Sequence, residues 1–77
     1  MSELVKAYVV ATVKRGTEHV VAEKIRKMKG ITEVLVTYGL WDIIARIEAK
    51  SLEHLDKIIT DIRQIPEIEQ TSTLIGA

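Results

Sequence analysis

The sequence predicts an α+β fold of the ferredoxin-like type, in which the order βαββαβ gives a four-stranded antiparallel sheet with two helices on one face. Two observations predict it. One is an internal repeat, and the other is the change, within each half of the chain, from strand-like to helix-like spacing of the apolar residues. A chain of 77 residues has the length of one small domain, so residues 1–77 are predicted to form a single unit.

The internal repeat emerges when the sequence is shifted by 34 positions against itself. The shift places VVATV at 9–13 over IIARI at 43–47. Thr17 then lies over Ser51, and both are residue types that favour the N-cap of a helix. The apolar residues that follow have the spacing of one helical face. They are Val21, Ile25 and Met28 in the first half and Leu55, Ile59 and Ile62 in the second.

Each half therefore predicts a strand, a helix and a strand. In the first half, LVKAYVVATVK is strand-like, Thr17 to Lys29 is helical with Gly30 as its C-terminal stop, and ITEVLVTY is strand-like. In the second half, WDIIARIEA forms a strand, a helix runs from about Leu52 to Gln64, and PEIEQTSTLI forms the last strand. Pro66 ends the second helix, because the residue before a proline disfavours helical geometry.

Strand alternation assigns two faces to the sheet, because successive side chains point to opposite sides. An open face as apolar as the one predicted here marks an interface, and a domain this small hides only about 60% of its unfolded surface by itself. We therefore expect a homodimer. The helix-covered face is predicted to carry Val9, Ala11, Val13, Val34, Val36, Ile43, Ala45 and Ile47. The open face is predicted to carry Tyr8, Val10, Thr12, Leu35, Thr37, Ile44, Arg46, Thr71, Thr73 and Ile75.

The composition argues against several classes of protein. Eleven basic residues balance eleven acidic ones, and a net charge of zero disfavours binding to the phosphates of nucleic acid. Cysteine is absent, which excludes disulfides, thiolate nucleophiles and cysteine-ligated zinc. The start MSELVKAYVV lacks a cleavable leader, and no run reaches the length of a membrane span. We expect a cytoplasmic protein without membrane contact, and the absence of Asn indicates a thermophilic source.

No catalytic, metal or cofactor site is predicted. His19 and His54 lie early in their helices without the spacing of metal ligands, and are predicted to be solvated helix residues. The four glycines lie too far apart for a phosphate-binding loop. RNA recognition on a sheet needs exposed aromatics, and Tyr8 alone is placed to serve. A small enzyme acting at the open sheet face would lack a nucleophile, base or metal set there, so the chain is not expected to be an enzyme.

The corner TYGLWDII at residues 37–44 has two interpretations. In the first, Gly39-Leu40 is a two-residue type II′ turn, Tyr38 and Trp41 face each other across its base, and Asp42 is an exposed acid at the start of a strand. In the second, the corner is a receptor for a zwitterion. Backbone N–H groups then meet an α-carboxylate, Asp42 meets an ammonium group, and the aromatics close around a side chain.

A hydroxyl triplet, Thr71-Ser72-Thr73, is the counterpart of this corner in the repeat, because the shift places Tyr38-Gly39 over Ser72-Thr73. Threonine also favours exposed strand positions, so the triplet is either ordinary strand sequence or a set of ligand donors and acceptors. In an oligomer, the hairpin of one subunit and the last strand of another would complete one pocket.

Three stretches resemble the ligand-sensing (RAM) domain of the Lrp/AsnC family: the strand AYVVATVK, the block GITEVLVTYGLWDIIARIE around a Gly-x-aromatic-Asp turn, and IPEIEQTST before the last strand. The resemblance covers nearly the whole chain. It implies transcriptional regulators that dimerise through the sheet in an α/β-barrel-like association, assemble further into octamers as tetramers of dimers, and bind amino acids between dimers. By motif position it implicates as ligand-binding residues Tyr38, Gly39, Leu40, Trp41, Asp42, Thr71, Ser72 and Thr73.

In the family this domain follows a DNA-binding helix-turn-helix, for which there is no room before Leu4. The resemblance therefore implies an oligomeric amino-acid-binding regulatory module that modulates transcription-related partners without binding DNA itself. The alternative is a ligand-independent assembly module that forms mixed oligomers with full-length Lrp-like regulators. Trp41 stands where a smaller aromatic is commoner in the family, which leaves the identity of the amino acid open.

Overall fold

The chain folds in the predicted order βαββαβ in the computed structural model, which describes residues 3–77. The strands form one antiparallel sheet in the order β2-β3-β1-β4, and both helices pack on the same face of it. The predicted fold class is therefore confirmed. The elements are β1 (Val5–Val13), α1 (Glu18–Arg26), β2 (Ile31–Val36), β3 (Ile43–Ala49), α2 (Leu52–Arg63) and β4 (Ile68–Ile75).

Helix α1 is shorter than the sequence predicts, ending at Arg26 instead of Lys29. The Met28 N–H donates to the Ile25 carbonyl at 3.0 Å, a tight bond between residues three apart that closes the last turn. Gly30 follows with φ of +89°, a left-handed conformation that glycine adopts without steric cost, and turns the chain into β2. The predicted glycine stop is thus present, but it lies beyond the helix and not at its last residue.

Helix α2 and strand β4 are joined by a compact turn. α2 ends one residue before the predicted Gln64, whose N–H donates to the Asp61 carbonyl at 3.2 Å. The Ile68 N–H donates to the Ile65 carbonyl at 3.1 Å across Pro66, so the chain is still turning where the sequence predicted strand. Strand β4 therefore starts at Ile68, two residues later than expected.

The two predicted N-cap residues make different bonds. Ser51 Oγ accepts a hydrogen bond from the His54 N–H at 3.0 Å, as a capping serine does. Thr17 stands at the N-cap of α1, but its hydroxyl donates to the Lys14 carbonyl at 2.6 Å and accepts no bond from the helix. The N-cap position is confirmed at both helices, and the capping bond at α2 alone.

The core lies between the sheet and the two helices. The strand residues predicted for the helix-covered face are buried, except that Val36 is half-buried at the hairpin end of β2. The helices contribute Val21 and Ile25 from α1 and Leu55 and Ile62 from α2, as predicted. Of the other predicted helix residues, Met28 and Ile59 are half-buried, and Ile58 is buried in α2 instead of Ile59. No helix within residues 3–77 is long and apolar enough to cross a membrane.

The predicted faces of β4 are wrong by one residue. Thr71 pairs with Ala11, Thr73 with Val9, and Ile75 with the buried Ala7, so these three side chains lie on the helix side of the sheet and not on the open face. A shift of one residue moves every side chain of a strand to the other face. The sequence of β4 does not fix this choice, because neither alternate set of its side chains is buried. Leu74 is 58% exposed and Ile75 is 55% exposed.

The open face carries an apolar band that crosses all four strands. One row of residues, paired from strand to strand across the sheet, has an apolar side chain on each of β2, β3 and β1 and ends at Ser72 on β4. The next row brings Tyr8 and Leu74 side by side, with Arg46 and Glu33 beyond them. Leu35, Tyr8 and Leu74 are each about half exposed, so the apolar character predicted for this face is present. The apolar members of the first row are Leu35, Ile44 and Val10.

Candidate functional site

The β2–β3 hairpin is wider than the sequence predicts. The Thr37 N–H donates to the Asp42 carbonyl at 2.9 Å, and this bond closes a loop of residues 38–41. The Thr37 hydroxyl donates to the Trp41 carbonyl at 2.6 Å, so that carbonyl is already occupied by a side chain. The predicted two-residue type II′ turn at Gly39-Leu40 is therefore wrong, although Gly39 does have a positive φ, of +141°.

The aromatic pair predicted at the base of this hairpin does not form. Tyr38 is fully exposed, so its ring is not packed against Trp41. Trp41 is half-buried, while Leu40 is 85% exposed. The interpretation as an aromatic staple is therefore wrong, and the loop instead projects two large side chains, Tyr38 and Leu40, into solvent.

Asp42 is anchored to the neighbouring strand and is not a free surface acid. Its Oδ2 accepts a hydrogen bond from the Val13 N–H at 2.9 Å, and its own N–H donates to the Ala11 carbonyl at 2.9 Å. The residue is half-buried. Within residues 3–77, Oδ1 has no hydrogen-bond partner, so one carboxylate oxygen is fixed and the other is available to accept a bond from an ammonium group.

A cavity of 330 Å³ lies beside the hairpin and contains part of the predicted site. Tyr38, Gly39 and Asp42 line it, whereas Leu40 and Trp41 do not. The remaining lining comes from Val36, Thr37 and the first turn of α1, with Glu18 and His19. Two carboxylates and one imidazole thus line the same cavity.

The sequence interpretation missed Glu18 and His19. His19 is exposed, as expected of a solvated helix residue, but the fold brings it to the hairpin. In the βαββαβ topology, the start of α1 and the β2–β3 hairpin lie at the same end of the sheet, which is the signal that could have found both residues. The linear sequence separates them from Asp42 by more than twenty positions.

The hydroxyl triplet does not meet the hairpin within one chain. Strand β1 lies between β4, which carries Thr71, Ser72 and Thr73, and β3. Ser72 points to the open face, and the two threonines point to the helix side. Thr71 lines a different cavity, next to Arg63. Within residues 3–77, no group of three His, Cys, Asp or Glu side chains is placed to hold a metal ion.

The fold and the site together define a small ferredoxin-like binding domain, with an apolar sheet face suited to association and a hairpin pocket suited to a small polar molecule. The chain belongs to the Lrp/AsnC ligand binding domain family, whose model matches residues 6–76. The curated relatives that it matches are HTH-type transcriptional regulators, so the chain is similar to the ligand-binding part of regulatory proteins.

Comparisons with individual proteins agree with this assignment. FL11 of Pyrococcus horikoshii, an HTH-type transcriptional regulator, is 35% identical over 69 residues, which are 90% of this chain and 46% of FL11. The crystal structure of FFRP-DM1 superimposes with a TM-score of 0.90 and 39% identity, covering 95% of this chain and 99% of that one. The structure of E. coli AsnC superimposes with a TM-score of 0.85 and 26% identity, covering 94% of this chain and 50% of AsnC. The chain spans less than half the length of the curated relatives that it matches.

Proposed function

We propose that this domain senses an amino acid at the β2–β3 hairpin and, as an oligomer, modulates transcription-related partners without itself binding DNA. The family supports ligand binding and regulation, and the net charge of zero supports the absence of DNA contact. A cytoplasmic location and a thermophilic source belong to the same proposal. The proposed ligand-binding residues are Tyr38, Gly39, Leu40, Trp41 and Asp42, completed by Thr71, Ser72 and Thr73 of a neighbouring subunit.

Asp42 is the observation that carries this proposal. Its bond to the Val13 N–H holds the carboxylate at the mouth of the cavity, so binding an ammonium group with Oδ1 requires no further ordering of the side chain. The backbone around Gly39 is open, because a Cβ at this position would meet no atom beyond the neighbouring residues within 4 Å, and this leaves space for the carboxylate of the ligand to approach N–H groups.

The exposure of the hairpin tip supports a site shared between subunits. Tyr38 and Leu40 are almost fully exposed in the single chain, so a ligand bound there would remain open to water on one side. A second subunit that covers the tip would bury these side chains and desolvate the ligand. Thr71 and Thr73 also need a second subunit, because β1 separates them from the hairpin of their own chain and they can reach only the hairpin of a neighbour.

The apolar band on the open sheet face supports a dimer as the unit of assembly. Tyr8, Leu35 and Leu74 form a contiguous half-exposed apolar surface with Val10 and Ile44 between them. Packing two such faces against each other is an isologous contact, since the same surface serves on both partners. Dimers joined through their hairpins would then form the higher oligomer, a tetramer of dimers.

The test is a thermal-shift screen against the twenty amino acids, with light scattering on the same samples, for the wild type and for Asp42→Asn. Asparagine keeps an oxygen for the Val13 N–H but loses the charge that an ammonium group needs. A ligand at about one hundred times its Kd stabilises the folded state by about 2.7 kcal/mol, which raises the melting temperature of a domain this small by about 10–20 °C.

The matched control is Asp56→Asn, which removes one exposed acid far from the hairpin on α2. We expect a shift with one amino acid or a chemically related group, retained in the control and lost in Asp42→Asn. Absence of any shift at millimolar ligand, with the oligomer intact, would contradict amino-acid sensing.

The second candidate is the ligand-independent assembly module, and the exposed tip favours it as well. Tyr38, Leu40 and the apolar band can bury themselves against a related subunit without any small molecule. Its test is subunit exchange with a full-length relative such as FL11, followed by native mass spectrometry with and without amino acids. Mixed oligomers whose amount does not depend on amino acids would favour this module over the sensor.

A further inference from the structure

A second cavity, of 250 Å³, lies between the loop after α1 and one side of α2. We call it the interhelical cavity. It lies on the helix side of the sheet, so association through the open face leaves it accessible. Its α2 residues are spaced at i, i+3, i+4 and i+7 and therefore share one helical face. The lining residues are Met28, Lys29, His54, Lys57, Ile58 and Asp61.

The floor of the interhelical cavity is apolar. Ile58 is 5% exposed and belongs to the core, and Met28 packs against the same core while remaining half-buried. Gly30 lets the loop after α1 approach α2 closely, because a Cβ at this position would stand 2.6 Å from Ile58 Cδ1. The floor is thus held in place by the fold and offers a hydrocarbon surface to a ligand.

His54 places a fixed hydrogen-bond donor at this cavity. Its Nδ1 accepts the Lys50 N–H at 3.0 Å, and its backbone N–H donates to Ser51 Oγ at 3.0 Å. With Nδ1 acting as an acceptor, the neutral ring carries its proton on Nε2. Within residues 3–77, Nε2 has no hydrogen-bond partner, so this N–H is oriented but unused.

The charges around the cavity leave one positive charge uncompensated. Lys57 Nζ lies 3.5 Å from Asp61 Oδ2, and this pair is neutral as a unit. Lys29 is exposed and has no ion-pair partner within residues 3–77. An ammonium group, an imidazole N–H and an apolar floor thus line the same small volume.

We propose that the interhelical cavity binds a small monocarboxylate with an apolar body. The carboxylate accepts bonds from Lys29 Nζ and His54 Nε2, and the body covers Met28 and Ile58. The cavity is smaller than the pockets of drug-sized ligands, about 300–1,000 Å³, so the ligand is a short acid. This site shares no residue with the hairpin and does not depend on the amino-acid site proposed there.

The test uses 4-methylpentanoate and its neutral analogue 4-methylpentanamide, titrated into the 15N-labelled full chain and followed by NMR. The two probes have nearly the same shape, so they separate the contribution of the charge from that of the hydrocarbon. We expect saturable shifts in residues 28–30 and 54–61, including the His54 ring, with an affinity for the acid about tenfold or more above that for the amide.

Two variants distinguish specific binding in the cavity from nonspecific attraction of the carboxylate to surface lysines. Lys29→Gln should weaken binding of the acid by about fivefold or more, because it removes the unpaired cation. Lys27→Gln removes an exposed lysine next to the cavity that does not line it, and should leave binding unchanged. The proposal is overturned if the shifts do not saturate, if acid and amide bind equally, if both variants bind like the wild type, or if the shifts fall on the hairpin.

Discussion

Asp42 Oδ2 and the backbone N–H of Val13 lie 2.9 Å apart and form a hydrogen bond that joins the residue before β3 to the last residue of β1. The residue that we propose binds the ligand is therefore also hydrogen-bonded to the sheet. Any test of Asp42 must separate these two roles, and the choice of the replacing side chain does so.

Asp42→Ala should be less stable than Asp42→Asn. Alanine leaves the part-buried Val13 N–H without an acceptor, at a cost of about 1–3 kcal/mol, whereas asparagine retains a carbonyl oxygen at the same place. The measurement is urea unfolding of both variants at one protein concentration, because oligomers couple stability to concentration. Equal loss of stability in both variants would show that charge, and not the bond to Val13, is what holds this corner.

Gly30→Ala should destabilise the fold more than Gly16→Ala. Both glycines have a left-handed φ, near +87° and +89°, which costs an alanine about 1–2 kcal/mol. At Gly16 no atom beyond the neighbouring residues lies within 4 Å of the added Cβ, whereas at Gly30 it meets Ile58 Cδ1 at 2.6 Å, and turning this terminal methyl aside adds about 0.5–1.5 kcal/mol. The difference in melting temperature between the two variants measures the cost of the contact with Ile58. Equal decreases in melting temperature would contradict the close approach at Gly30.

Ser51→Ala should cost about 1 kcal/mol, because it removes the acceptor for the His54 N–H at the start of α2. Thr17→Ala should cost about 0.5 kcal/mol, since the Thr17 hydroxyl bonds only the exposed Lys14 carbonyl. Ser51 and Thr17 are equivalent positions of the repeat, but only Ser51 makes a capping bond. Urea unfolding of the two variants therefore measures what that bond contributes to stability. A larger loss at Thr17 would mean that its hydroxyl caps α1 in solution.

Leu74→Glu should convert the proposed dimer into monomers, while Ile75→Glu should leave it assembled. The two side chains are adjacent on β4 and almost equally exposed, but Leu74 pairs with Tyr8 on the open face and Ile75 with Ala7 on the helix side. A carboxylate in the open-face contact would have to be buried without a partner. Analytical ultracentrifugation of both variants measures the effect, and a dimer that survives Leu74→Glu would place the contact on another surface.

Glu67 should make a contribution to stability that disappears at low pH. A backbone hydrogen bond and then the hydrogen bond from Lys24 Nζ, at 3.3 Å, lower the pKa of its carboxyl below the ordinary value. A lowered folded-state pKa means that the contribution is present above the unfolded pKa and is lost as the pH falls through the folded one.

The measurement for Glu67 is the difference in urea midpoint between wild type and Glu67→Gln as the pH is lowered from neutrality. The difference should shrink to nothing below the folded pKa. Glu69→Gln, a change to a nearby exposed glutamate without a bond to Lys24, serves as the control. A difference that is constant with pH would assign the effect of Glu67→Gln to something other than the charge of the carboxylate.

Local turns are where the sequence predictions failed, and the reasons are specific. The aromatics Tyr38 and Trp41 favoured a tight, stapled hairpin, but the Thr37 hydroxyl occupies the Trp41 carbonyl and opens the loop. The glycine after α1 favoured a longer helix, but the bond from the Met28 N–H to the Ile25 carbonyl closes it early. In both cases one hydrogen bond of ordinary strength selects between conformations that the residue types allow about equally.

The candidate site was predictable from the sequence only in part. The motif around Gly39 and Asp42 stands in consecutive positions, so it could be found without a fold. Glu18 and His19 come from another element and reach the cavity through the topology. The interhelical cavity has no motif at all, because its residues come from the loop after α1 and from α2.

The sequence by itself determined the element order, the two helical faces and the strand residues of the core, because apolar side chains at fixed periods allow only one way of burying both helices on one sheet. Only the tertiary structure decided which face of β4 is open, how wide the hairpin is, and which side chains share its cavity. These features depend on pairings between residues far apart in the chain, such as Val9 with Thr73 and Val13 with Asp42, and on single hydrogen bonds too weak to leave a pattern in the sequence.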